Sequence, residues 1–111
     1  MTDYDKFKAA CERWRLKFGL MDWLVTYESE RRDPEYGARI FTDASCRHAL
    51  VKYNLNRVLG RRGLDVLARH EILHLLFTDY GIMCARRGDH LHDDVMREEH
   101  KIIERIIGLL H

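Results

Sequence analysis

Apolar and polar positions alternate along this chain with two different periods. Tyr4, Phe7, Cys11, Trp14 and Phe18 recur every three or four residues, with Lys6, Lys8, Glu12, Arg13 and Lys17 between them. That spacing puts the apolar set on one stripe and predicts an amphipathic helix over residues 3–18, stopped by Gly19. The period then drops to two. Trp23, Val25 and Tyr27 alternate with Leu24, Thr26 and Glu28, which predicts a strand. Residues 30–37 hold the only proline, Pro34, among charged residues and read as a loop. Residues 38–43 read as a second strand. Ala49, Val51, Tyr53 and Leu55 mark a third.

The basic, glycine-bearing segment 57–63 reads as a loop. Residues 64–80 read as a helix closed by Gly81, because glycine commonly ends a helix. Residues 82–92 are polar and irregular. A last helix is expected from about residue 93, where Asp93 and Asp94 suit its N-terminal dipole. The order is helix, three strands, helix, helix, an α+β arrangement without repeats or linkers. At 111 residues it is expected to form a single domain, residues 1–111.

Composition narrows the class. The chain is 46% hydrophobic and 33% charged, as in ordinary globular proteins, and its net charge of +1 selects no highly charged partner. Its apolar runs are too short to span a membrane. No apolar segment follows Met1-Thr2-Asp3-Tyr4, so no secretory leader is expected and the expected location is cytoplasmic. Cys11, Cys46 and Cys84 are odd in number, widely spaced and lack a Cys-x-x-Cys pair. They argue against a disulfide framework and a cysteine-based zinc site.

The candidate chemistry lies in His70-Glu71-Ile72-Leu73-His74. Histidines four apart on a helix share a face and can converge on one metal ion. Glu71 is rotated about 100° from His70, out of the same ligand set but within reach of a water on that metal. Two neutral imidazoles to hold Zn²⁺ and a carboxylate to take a proton are what metal-assisted hydrolysis requires. The plainer alternatives are a hydrogen-bonded polar trio in the core, or surface histidines. The apolar neighbours Leu64, Leu67, Ile72, Leu73, Leu75, Leu76 and Phe77 argue against a surface face.

Catalytic zinc usually takes a third protein ligand and keeps one open position. His90, His92, Glu98, Glu99 and His100 are available. The expected last helix has its apolar stripe at Val95, Ile102, Ile103, Ile106 and Leu110. Stepping about 100° per residue, Glu99 falls near the centre of that stripe, Glu98 at its margin and His100 well off it. A carboxylate there must be paired or metal-bound, which favours Glu99 as the third ligand. A salt bridge to Arg69 is its plainer role.

With these residues placed, the chain resembles the gluzincin type of zinc peptidase, whose His-Glu-x-x-His is followed by a glutamate on the next helix. Its length, Leu20-x-Asp22-Trp23-x-Val25 before the first strand and Glu99-x-x-Ile102 in the last helix resemble the very small metallopeptidases of phages and prophages. The resemblance covers nearly the whole chain, but only His-Glu-x-x-His is highly specific. It implies a minimal zincin-like fold, one Zn²⁺ per chain on His70, His74 and Glu99, and Glu71 as general base toward a zinc-bound water. It also implies a peptide or protein substrate, bound by strand addition at an edge from residues 38–45 or 46–56. The metzincin signature wants a glycine and a histidine where this chain has Phe77 and Tyr80, so that class is excluded. No Asn-Glu-x-x-Ser-Asp segment follows, so a thermolysin-like assignment is unsupported.

Tyr80, His90 and His92 are candidate donors to a developing oxyanion, with Tyr80 the first choice. Asp65 and Asp79 flank the motif and could orient its histidines, although solvation is the plainer role. Arg57, Arg61, Arg62, Arg86 and Arg87 could attract acidic peptides or nucleic acid. The near-zero net charge and lack of a nucleic-acid motif favour a solvated surface. The alternative function is a catalytically silent zincin-fold binding module with structural zinc, such as a phage protein gripping a host factor.

Overall fold

A computed structural model describes residues 1–86, with side chains as far as Asp79. Helix α1 spans Asp3–Lys17. Thr2 caps it reciprocally: its hydroxyl accepts from the Asp5 N–H (3.1 Å), and the Asp5 carboxylate accepts from the Thr2 N–H (3.2 Å). The helix stops at Phe18, where Gly19 takes a left-handed φ of 70°, as glycine does most readily. Strands β1 (Leu24–Glu30), β2 (Ala38–Asp43) and β3 (His48–Asn54) follow, then helix α2 (Arg61–Arg86).

The sheet order is β1-β3-β2, with β3 parallel to β1 and antiparallel to β2. In β3 the burial alternates as far as Tyr53: Ala49, Val51 and Tyr53 are buried, while Leu50 and Lys52 lie on the other face. The Tyr53 ring packs at a tilt against Phe7 of α1, with ring centroids 4.9 Å apart. Phe7, Ala10 and Cys11 join Leu64, Ala68, Ile72 and Leu75 of α2 over the same sheet face. Each large apolar side chain buried there contributes about 1.5–3 kcal/mol. The opposite face leaves Leu24 and Phe41 exposed. The architecture is α+β, a helix, a three-stranded mixed sheet and a second helix.

Two boundaries differ from expectation. The segment 57–63 is not all loop, because α2 starts at Arg61. Gly81 does not close that helix, which continues to Arg86, so residues 82–86 are helical and not irregular. A glycine terminates a helix only if it leaves the right-handed region. Inside one it costs about 1 kcal/mol, which the helix-compatible run Ile82-Met83-Cys84-Ala85-Arg86 tolerates. The rest of the segment expected to be irregular, beyond 86, and the expected helix from residue 93 lie outside the described residues.

Cys11 and Cys46 are free thiols, one buried and one exposed. Among the described residues no helix is long and apolar enough to cross a membrane.

Candidate metal centre

The third and fourth turns of α2 carry the motif. Ile72, Leu73 and Leu75 are fully buried, which fixes the helix rotationally and leaves His70 and His74 half-buried on another face. Their Nε2 atoms are 3.1 Å apart and their rings meet edge to face at 77°. Two imidazoles bound tetrahedrally to zinc, with Zn–N of about 2.0–2.1 Å, hold their nitrogens about 3.3 Å apart. The pair fits a shared ion with almost no rearrangement. The same distance also admits a ring-to-ring hydrogen bond.

Glu71 is 5% exposed although it is an acid. Burial alone pushes its pKa up to about 8, because a charged carboxylate is poorly solvated there. No described residue donates a hydrogen bond to it. Behind it lies Cys11, whose thiol is pushed up first by burial and then by the charge of Glu71. A buried acid without a donor is costly for folding and useful for proton transfer.

Two further expectations turn out otherwise. Asp65 and Asp79 do not orient the histidines, nor are they merely solvated. Asp65 accepts the indole N–H of Trp14 (3.0 Å), and Asp79 that of Trp23 (3.1 Å). Asp79 also accepts from Arg47 (2.7 Å), which bonds Asp22 as well and stacks over the Trp23 ring. Each end of the motif segment is thus tied to a tryptophan outside α2, one in α1 and one just before β1. Inspection of the sequence missed this. The signal was available in the two tryptophans, since a buried indole needs an acceptor.

No protein-family model, curated protein or solved structure matches this chain.

The strand edge is narrowed by the sheet order. Strand β3 is central, with neighbours on both sides, so residues 46–56 offer no edge for strand addition. The edge beside α2 is β2, against which that helix packs. Gly37, at its start, lies so close to Leu67 of α2 that a Cβ there would come within 2.9 Å of it. Arg57 is engaged in structure, donating to the carbonyls of Pro34 (3.0 Å) and Glu35 (3.2 Å). Arg69 is buried and lies over the Trp14 ring.

Among the described residues no third histidine, cysteine or acid joins the His70–His74 pair in a metal-binding cluster. Glu98, Glu99, His90, His92 and His100 lie outside the described residues, as do Arg87 and the side chains of Tyr80 and Arg86.

Proposed function

We propose that this chain is a zinc-dependent metallopeptidase of the minimal gluzincin type that hydrolyses peptide bonds. The observation that carries the reading is the convergence of two imidazole nitrogens at 3.1 Å, one residue from a buried carboxyl that no described side chain neutralises. His70 and His74 would hold one zinc ion, with Glu99 as third ligand.

Bound zinc supplies a Lewis acid for the scissile carbonyl and lowers the pKa of water at the open position. The remaining work falls to the chain. Glu71 accepts the proton of the attacking water and passes it to the leaving amine. Burial makes Glu71 a stronger base than a solvated glutamate, and a cation beside it draws its pKa back toward neutrality. Ile72, Leu73 and Leu75 hold the helix so that the carboxyl keeps its place. Tyr80 is the proposed donor to the oxyanion. An extended peptide would pair with the side of β2 that no strand occupies among the described residues, where backbone hydrogen bonds would give affinity without demanding particular side chains.

Metal analysis and peptide hydrolysis test this. Purified protein should hold one zinc per chain, lost in His70→Ala. Glu71→Gln should keep the zinc and reduce turnover by about 10²–10⁴. Protein prepared without chelators that contains no zinc overturns the proposal. Bound zinc without turnover on broad peptide libraries supports the binding-module reading instead.

A further inference from the structure

Away from the histidines, α1 and the first turn of α2 enclose a groove of about 810 Å³. Ala9, Ala10 and Leu64 make an apolar floor. Around it stand the cations Lys6, Arg13, Arg61 and Arg62. The one carboxylate in the lining, Asp65, is already engaged by the Trp14 indole and lies 3.6 Å from Arg13. Among the described residues no carboxylate comes within ion-pair range of Lys6, Arg61 or Arg62.

Folding does not require this arrangement. A helix N-terminus carries partial positive charge and favours acids. Helix α1 obeys, with Asp3 and Asp5 in its first turn and a complete capping box. Helix α2 does the opposite: it opens on Arg61 and Arg62 and has no acid in its first turn. Gly60, whose carbonyl accepts the first helical bond from the Leu64 N–H (3.0 Å), has no side chain to cap it. Local choices that oppose stability concentrate where a protein binds something.

We propose that this groove docks an acidic peptide segment of a partner protein. Its carboxylates would lie on Lys6, Arg61 and Arg62, and an apolar side chain would rest on Ala9, Ala10 and Leu64. The volume falls within the roughly 300–1,000 Å³ of small-ligand clefts and suits a few residues of chain. Among the described residues no aromatic ring lines the groove to stack a nucleobase, which favours a peptide over single-stranded nucleic acid. Arg61 and His70 are nine residues apart and point about 180° from one another on α2. The groove is therefore separate from the histidine pair, and the inference does not rest on zinc.

Fluorescence anisotropy with a short labelled glutamate- and leucine-rich peptide tests it, using the full chain without added metal. The peptide should bind, and binding should weaken as salt rises. The double variant Arg61→Glu/Arg62→Glu should bind about tenfold or more weakly. That variant places acids at the helix start, so its thermal midpoint should match or exceed the parent's. Lys6→Glu, at an exposed position of α1, should also weaken binding. The inference is overturned by no binding to the parent chain, by equal binding to the double variant, or by an oligonucleotide that binds more tightly than the peptide.

Discussion

Trp23 and Asp79, 56 positions apart, are joined by a 3.1 Å hydrogen bond from indole to carboxylate. The bond ties the entrance of β1 to α2 just beyond the histidine motif. Arg47, held at a left-handed φ of 50°, donates to the same carboxylate. Asp79→Ala strands the Trp23 indole and leaves Arg47 with Asp22 alone in a partly buried place, and should destabilise the fold by about 2–3 kcal/mol. Trp23→Phe keeps most of the buried ring and should cost about 1 kcal/mol for the hydrogen bond. Urea-denaturation midpoints of the two variants should rank them in that order.

Metal should stabilise the folded chain. If His70 and His74 close on zinc only in the folded state, zinc at about 100 times its Kd adds about 2.7 kcal/mol. Thermal unfolding with zinc and with a chelator should show separate midpoints. His74→Ala should unfold at the same midpoint in both conditions.

Stability of the metal-free protein should fall as pH rises. The Glu71 carboxyl titrates near 4.5 when unfolded and near 8 when folded. Between those values the folded chain keeps a proton that the unfolded chain has lost. The contribution is fully present below the unfolded value and is lost as pH rises through about 8. Glu71→Gln cannot ionise, so the difference in urea midpoint between about pH 5 and about pH 9 should shrink in that variant. An unchanged pH slope would show that the acid is not protonated in the fold.

Asn54 is 1% exposed, and its side chain uses all its bonding capacity. It donates to the carbonyls of Asp33 (2.9 Å) and Tyr36 (2.6 Å) and accepts from the N–H groups of Arg32 (3.0 Å) and Asn56 (3.1 Å). These bonds shape the loop from β1 to β2. Asn54→Ala should cost about 3 kcal/mol, and Asn54→Asp nearly as much, because the carboxylate would face two carbonyls. Denaturant midpoints measure both.

What could be read from the sequence follows physical range. The α1 stripe and the alternation of β3 are set by neighbours within a few positions, and β2 occupies the expected residues 38–43. The end of α2 depended on the conformation of Gly81, which the residue type leaves open. Sheet order and the partners of Asp65 and Asp79 depend on residues tens of positions away, which no local period encodes. His70 and His74 were legible because helix geometry alone brings them together. Glu99 rests on the stripe of a segment outside the described residues. The groove cations were legible as arginines, but not as a set, since Lys6 and Arg13 reach Arg61 and Arg62 only through the packing of α1 on α2.

The position of β3 between β1 and β2 sets a timetable for synthesis. Strand β2 can pair with β3 soon after it is made, across a four-residue turn (44–47). Strand β1 cannot, because its sheet neighbour among the described residues is 48–54. At about 5–20 residues per second, the backbone of 24–30 waits roughly one to five seconds on the ribosome before its hydrogen-bonding partner exists. Until then the α1 stripe also lacks the cover that Tyr53 later gives to Phe7 and Tyr4.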